Sequence, residues 1–277
     1  MKHRRLALGS LLLVAVGILL WLAARRHHER FHYYVSGPDP QLAKALAGSG
    51  YERVALSPEP SVRIQLLLRR PPSERDPLLV LFPGNAEQQL ATGIPLLEGL
   101  RAGHAAGAAI VSYRGFDGST GTPSPRAAAH DARVLLEYLE RELGVSGKRL
   151  IMIGYSMGSG IALRAAAEQA QRGHEPASLV LLSPFWMLEI EPAGLLGSLM
   201  PSERYTVEEV IPYLRSRTIV IGAAEDSALP VAQHARPLSA AIGARAQYLE
   251  LPHVGHVDYL GDKAALARIA ELIWQAQ

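Results

Sequence analysis

The sequence predicts an α/β domain built on a mainly parallel sheet. Two observations predict it: short runs of Leu, Ile and Val alternate along the chain with longer helical patterns, and several of the short runs are apolar throughout. A strand that helices cover on both faces has such a continuous apolar sequence. The alternation therefore predicts a parallel sheet with helices on both faces.

The predicted strands are short and apolar or β-branched, and they lie at 63–68, 78–82, 109–113, 149–154, 179–183, 218–222 and 247–251. The predicted helices lie near 88–102, 125–143, 157–172, 231–242 and 262–275. The clearest helix start is at Ser124 and Pro125, an N-cap and first-turn pair. The alternation lapses over about 185–215, an apolar segment that we interpret as a short cap insertion over the end of the sheet.

Residues 6–24 are uncharged and mostly apolar. At about 1.5 Å per residue, a helix of this length roughly spans a hydrocarbon core of about 30 Å. A cleaved signal peptide is the alternative, but its apolar region is usually about 7–15 residues long. We expect one retained N-terminal transmembrane helix within an anchor segment over 1–30, a juxtamembrane linker over 31–50 and a catalytic domain over 51–277.

Basic residues flank the predicted span on both sides, at Lys2, Arg4, Arg5, Arg25, Arg26 and Arg30. The positive-inside rule gives a slight preference for a cytoplasmic N-terminus and an exported, periplasmic or extracytoplasmic domain. Residues 31–277 carry 22 basic and 25 acidic side chains, a balance that argues against a nucleic-acid partner. The absence of cysteine excludes disulfides, thiolate metal sites and a cysteine nucleophile.

The segment 154–158, Gly-Tyr-Ser-Met-Gly, has the G-x-S-x-G form. An apolar run precedes it and a helical pattern follows it, which is the strand–turn–helix context of a nucleophile elbow. Such a turn lifts the hydroxyl of Ser156 clear of the sheet, and Gly154 and Gly158 leave room for the neighbouring strand and helix. An ordinary strand-to-helix turn with a serine N-cap is the structural alternative.

A serine nucleophile needs a base, and the base needs a carboxylate that orients it. Asp226 follows a predicted strand, at the end where the sites of parallel sheets collect. His256 follows the last predicted strand. The order Ser156, Asp226, His256 differs from the orders of the chymotrypsin and subtilisin triads.

Five segments carry a resemblance to a known family: FPGNAEQ at 82–88, YRGFDGSTGTPS at 113–124, GYSMG at 154–158, Asp226-x-x-x-Pro230, and GHVD at 255–258. With them, residues 50–276 resemble the α/β-hydrolases, and specifically the membrane-anchored, single-span group of that superfamily. The resemblance implies an α/β-hydrolase fold, a serine hydrolase activity and no cofactor or metal.

The resemblance also implies an oxyanion hole made of the main-chain N–H groups of Asn85 and Met157. Relatives often have His before the first glycine of the 82–88 motif, whereas this chain has Pro83. Proline has no N–H to donate, so Asn85 is the natural donor of this motif.

Neighbouring residues offer other assignments. Glu225 could replace Asp226 as the orienting carboxylate, although Asp226 has the family's spacing to Pro230. His253 is the alternative base, although His256 follows the glycine as the family's histidine does. We expect Asp258 to shape the histidine loop, and Asp117 to belong to a structural loop near the site.

His28, Glu29 and His32 fit H-E-x-x-H, the pattern of zinc metalloproteases. A zinc site needs a helix packed inside a domain and outer residues that orient the histidines. This motif instead leaves the predicted membrane helix directly and meets the Gly- and Pro-rich segment 37–40. A basic, aromatic collar at the membrane surface explains the same residues, so we expect no metal site.

The sequence thus predicts a membrane-tethered serine hydrolase that cleaves ester or thioester bonds, and less readily amides, through an acyl-enzyme. Its predicted partners are the membrane and a small acyl substrate, for which a lipid-like molecule is one candidate. The alternatives are a non-catalytic, membrane-anchored binding protein on a hydrolase fold, and a zinc metalloprotease using His28, Glu29 and His32.

Overall fold

The computed structural model describes residues 15–22, 33, 35–86, 88–190 and 203–275. The strands in these ranges are β1 (Glu52–Glu59), β2 (Val62–Arg69), β3 (Leu78–Phe82), β4 (Gly107–Ser112), β5 (Leu150–Tyr155), β6 (Ser178–Leu182), β7 (Met187–Ile190), β8 (Glu203–Thr206), β9 (Arg217–Ala223) and β10 (Ala246–Leu251). The helices are α1 (15–22), α2 (Leu42–Leu46), α3 (Gln89–Arg101), α4 (Pro125–Leu143), α5 (Met157–Gln171), α6 (Ala235–Ile242) and α7 (Lys263–Trp274).

The main sheet has the strand order β1-β2-β4-β3-β5-β6-β9-β10. Strand β2 runs antiparallel to both of its neighbours. The other adjacent pairs, among β4, β3, β5, β6, β9 and β10, are parallel. Strands β3, β4, β5 and β6 are buried along their whole length. The mainly parallel sheet predicted from the apolar runs is therefore confirmed.

Helices cover both faces of this sheet and divide the core into two layers. Leu135 of α4, Ile161 of α5 and Leu238 of α6 pack on one face. Leu97 of α3 and Leu266 of α7 pack on the other. Because the sheet is parallel, this arrangement places the carboxyl ends of β3, β5, β9 and β10 at a single edge, where the loops that follow them meet.

Four elements were not predicted: the short helix α2 in the predicted linker and the strands β1, β7 and β8. Strand β1 was not predicted, because as an edge strand it has a single fully buried side chain, Leu56, and contains Pro58, a residue that sheets tolerate at edges. The cap segment was expected to lack strands, yet β7 and β8 pair antiparallel within it. Residues 191–202, between these two strands, lie outside the described part of the chain.

The N-terminal predictions fall largely outside the described residues. Of the predicted span 6–24, the structure describes 15–22, which is helical, and no helix within the described ranges is long and apolar enough to cross a bilayer. The H-E-x-x-H motif at 28–32 lies outside these ranges. In the predicted linker, Tyr33 packs edge-on against Phe116, and Leu42 is buried against the α3 layer.

Candidate active site

Ser156 occupies a strained turn between β5 and α5. Its backbone lies at φ 51° and ψ −119°, a conformation that L-residues rarely adopt and that the surrounding structure must hold in place. A Cβ on Gly158 would lie 1.9 Å from the carbonyl oxygen of Phe82, and one on Gly154 would lie 2.5 Å from Cα of Ser159. These contacts confirm the reason for glycine at both positions, which is the close approach of the neighbouring strand and helix.

His256 lies in the loop after β10, with its side chain directed at the turn. The distance from its Nε2 to Oγ of Ser156 is 2.9 Å. The hydroxyl of Tyr155 donates to the His256 carbonyl oxygen over 2.7 Å, and the amide of Gly255 donates to Oδ2 of Asp258 over 2.6 Å. The main chain is thus fixed on both sides of the imidazole, and Asp258 shapes the histidine loop as predicted.

Asp226 lies in the loop after β9 and completes a chain of three side chains. Its Oδ2 is 2.7 Å from Nδ1 of His256, while its Oδ1 accepts hydrogen bonds from the amides of Ala228 (3.0 Å) and Leu229 (2.7 Å). Burial would raise the pKa of Asp226, but hydrogen bonds from His256 and the Leu229 amide outweigh that effect and lower it. The carboxylate therefore stays ionised at neutral pH.

An ionised carboxylate accepts hydrogen bonds and donates none, so Nδ1 of His256 carries the hydrogen that points at Asp226. In the neutral imidazole, Nε2 is then the acceptor, and it faces the hydroxyl of Ser156. This is the arrangement in which a histidine can take a proton from a serine. The structure thus brings together the three residues predicted from the sequence.

The rival residues form a pair of their own. Nδ1 of His253 lies 3.1 Å from Oε1 of Glu225, and these two side chains are 89% and 62% exposed.

Asp117, in the loop after β4, is buried and accepts a hydrogen bond from the amide of Leu90 over 3.1 Å. Asp117 therefore contacts the start of α3.

The predicted oxyanion donors flank Ser156. Asn85 lies in the loop after β3, and Met157 is the first residue of α5, where the N–H groups of a helix have no acceptor within the helix. A Cβ on Gly84 would lie 3.3 Å from Cβ of Ser156, so the loop that carries Asn85 packs directly against the serine.

A cavity of about 110 Å³ opens beside these residues, and both Ser156 and His256 line it. Its walls come from α3 and the histidine loop, with apolar side chains from Leu96 and Leu260 and polar ones from Gln89 and Thr92. The described cap residues do not line this cavity. This cavity lies on the α3 side of Ser156.

Sequence reasoning missed Tyr155, which packs near the His256 ring and bonds its carbonyl oxygen. Burial raises the pKa of Tyr155, and the negative charges of Asp226 and Asp258 add to that effect, so its hydroxyl stays protonated and donates. The two bonded groups are 101 residues apart. No local pattern signals a contact of this kind.

Comparison with known proteins supports the fold. Residues 79–209 match the model of the Alpha/beta hydrolase family. A solved alpha-beta hydrolase from Vibrio vulnificus superposes with a TM-score of 0.68 at 20% identity, over 85% of this chain and 84% of that one. The chain has the α/β-hydrolase fold. This fold accounts for the antiparallel β2 in an otherwise parallel sheet, and for the meeting of the loops after β5, β9 and β10.

The hydrolase-fold chain also resembles parts of longer proteins. It is 30% identical to the multifunctional-autoprocessing repeats-in-toxin of Vibrio cholerae over 121 residues, which are 40% of this chain and 3% of the toxin. It is 26% identical to the lysophosphatidylserine lipase ABHD12 of Danio rerio over 135 residues, which are 43% of this chain and 35% of that lipase. The matched segment thus spans about a third or less of each relative.

Proposed function

We propose that this protein is a serine hydrolase that cleaves acyl esters or thioesters, and less readily amides, through an acyl-enzyme. The observation that carries the proposal is the continuous chain of contacts from Ser156 through His256 to Asp226, at 2.9 and 2.7 Å. The match to the Alpha/beta hydrolase family and the similarity to a lipase support it.

In the proposed reaction, Oγ of Ser156 attacks the acyl carbonyl carbon while Nε2 of His256 takes the hydroxyl proton. The carbonyl oxygen becomes an oxyanion, which the main-chain N–H groups of Asn85 and Met157 bind. His256 then gives its proton to the departing alcohol or thiol, which leaves an acyl ester on Ser156.

Water completes the cycle by attacking the acyl ester while His256 takes one of its protons. Collapse of the second oxyanion breaks the bond to Oγ of Ser156, which regains its proton from His256, and the acyl group leaves as a carboxylic acid. Asp226 holds the imidazole in the required tautomer and stabilises its positive charge in both halves of the cycle. The described residues supply each proton transfer in this scheme.

The cavity favours small acyl groups. Its volume of about 110 Å³ is well below the roughly 300–1,000 Å³ of pockets that enclose drug-sized ligands. Its apolar lining includes Leu96 and Leu260. We therefore assign the acyl group to this cavity and expect short acyl chains to be preferred.

A series of p-nitrophenyl esters tests this assignment. We expect kcat/KM to be highest for chains of about two to four carbons and to fall at least tenfold by about eight carbons, because longer chains must leave the cavity. Leu260→Ala should move the optimum to longer chains, whereas Leu163→Ala, in the core of the opposite face, should not. An optimum that stays in place in Leu260→Ala would assign the acyl group elsewhere.

Membrane attachment belongs to the same proposal. Residues 6–24 are apolar over the length of a membrane span, and in their described part Ile18, Leu19 and Leu20 are more than half exposed. We expect the full chain to sediment with membranes after carbonate extraction and a chain lacking residues 1–30 to stay in the supernatant. Recovery of both chains in the supernatant would contradict the tether.

Labelling with a fluorophosphonate probe tests the catalytic proposal. Wild type should be labelled at Ser156 and lose its esterase activity on labelling, and Ser156→Ala should do neither. Ser159→Ala is the matched control, because Ser159 is buried in the first turn of α5, three residues after Ser156, and its substitution should not affect labelling. A wild-type chain that resists the probe would instead support a non-catalytic binding protein.

A further inference from the structure

The oxyanion loop, residues 83–86, is tied to the rest of the domain by a buried glutamine. Gln89 is the first residue of α3 and is fully buried, which is uncommon for glutamine. Its Nε2 donates to the carbonyl oxygen of Gly84 over 2.9 Å, and its Oε1 accepts from the amide of Tyr113 over 3.2 Å. The side chain thus links the loop after β3 to the end of β4.

A second contact fixes the neighbouring peptide. The hydroxyl of Tyr113 donates to the carbonyl oxygen of Pro83 over 3.1 Å. Complete burial raises the pKa of Tyr113, so this hydroxyl stays protonated and remains a donor. Two successive carbonyl groups of the oxyanion loop are therefore held by side chains that meet at the end of β4.

The planarity of the peptide group connects these contacts to the reaction. The described chain contains no cis peptide bond, so the N–H of Asn85 points away from the C=O of Gly84 in the same rigid plane. A donor that holds the Gly84 carbonyl on the interior side therefore directs the Asn85 N–H to the opposite side. Gly84 packs against Ser156, and Asn85 and Ser156 both line the cavity.

We propose that Gln89, supported by Tyr113, is a positioning residue that sets the orientation of the Asn85 N–H for the oxyanion. This inference rests on the proposed serine hydrolase activity and concerns how its oxyanion hole is built. It accounts for the burial of an amide side chain beside the cavity, where an apolar residue would cost less to desolvate. Loss of one oxyanion donor typically lowers kcat by about 10² to 10³.

Gln89→Met tests the proposal, because methionine has a similar shape and neither donates nor accepts strongly. We expect kcat for a short acyl ester to fall by about 10² while KM changes less than about threefold. The affinity for an alkyl boronic acid, whose tetrahedral serine adduct uses the oxyanion hole, should fall in parallel with kcat/KM. The affinity for an unreactive ether analogue of the ester should stay the same.

Gln169→Met is the matched control, since Gln169 is also buried but lies near the far end of α5. It should leave all four quantities within about twofold of wild type. Should Gln89→Met fail to fold, Tyr113→Phe provides the second test, because it removes a single hydroxyl and keeps the ring. It should show the same pattern with a loss in kcat of about tenfold.

The readouts separate positioning from simple structural support. Equal losses in ether and boronate affinity, or a kcat within threefold of wild type in a folded variant, would overturn the proposal. Neither outcome affects the proposed activity as long as the fluorophosphonate probe still labels wild type and not Ser156→Ala. Failure of that labelling would remove the proposed function itself.

Discussion

Two pairs of acidic and histidine side chains lie next to each other on the same two loops. Asp226 and His256 are 2.7 Å apart with side chains 1% and 22% exposed, whereas Glu225 and His253 are 3.1 Å apart and mostly exposed. The residue types are nearly the same, and the surroundings differ. The comparison teaches that burial and a third partner, Ser156, distinguish the candidate catalytic pair from a surface ion pair.

The two pairs differ physically in their exposure to solvent. Water screens the exposed pair, and exposed ion pairs contribute little to stability. The buried carboxylate of Asp226 receives two backbone N–H groups besides the imidazole, which keeps it ionised without water. A fixed, buried negative charge can stabilise the imidazolium formed in the proposed reaction.

The largest expected difference between the pairs concerns the histidines. His256→Ala should lower kcat for a short acyl ester by about 10⁶, because no other group takes the proton of Ser156. His253→Ala should change kcat by less than about twofold. Steady-state hydrolysis by both variants at neutral pH measures the two effects, and similar losses would show that the surface pair takes part in the reaction.

A smaller difference is expected between the acids. Asp226→Asn should lower kcat by about 10⁴, because the asparagine amide donates to Nδ1 of His256 and forces the hydrogen onto Nε2. Glu225→Gln makes the same chemical change one residue away and should leave kcat within about twofold. If Glu225→Gln is the more damaging of the two, the acid has been assigned to the wrong residue.

The smallest effect concerns Asp117, a buried carboxylate that has no cation partner among the residues that the structure describes. Burial raises its pKa to about 6 from its ordinary value of 3.8, and the nearby charge of Asp39 adds to that increase. The folded state therefore holds the proton more tightly than the unfolded state does, and ionisation of Asp117 destabilises the fold as pH rises through this range. Asp226, whose pKa is lowered, has the opposite effect.

Asp117→Asn should remove this destabilisation, since asparagine stays neutral and its carbonyl oxygen can still accept from Leu90. Relative to wild type, the free energy of unfolding of the variant should rise by about 2 kcal/mol between about pH 4.5 and about pH 8. Urea denaturation at the two pH values measures it. A constant difference between variant and wild type would show that Asp117 does not titrate in this range.

The elements predicted from the sequence were those with strong local signals. The helix over 125–143 has the same bounds as α4, because Ser124 accepts a hydrogen bond from Ala127 and Gly144 ends the helix in a left-handed conformation. Strand β1 was missed because its stability comes from pairing with β2 rather than from an apolar pattern. The β7–β8 hairpin was missed because it is likewise defined by the pairing of its two strands.

The candidate site divides in the same way. Ser156, Asp226 and His256 were predictable because each follows a predicted strand within a recognisable segment, and the carboxyl ends of parallel strands meet at one edge. Gln89 and Tyr113 were not, since each makes its contact with the oxyanion loop through a side chain with no local sequence signal. The position of the cavity on the α3 side was likewise not predictable from the sequence.

By itself, the sequence determined the parallel sheet, the elbow at Ser156 and the two loops that carry the candidate acids and bases. These follow from periodicity and turn chemistry, which act between residues close together in the chain. Tertiary structure alone decided that Asp226 and His256, rather than Glu225 and His253, form the buried pair. It also directed Gln89 at the Gly84 carbonyl oxygen, because burial and hydrogen-bond geometry depend on segments that the chain brings together only on folding.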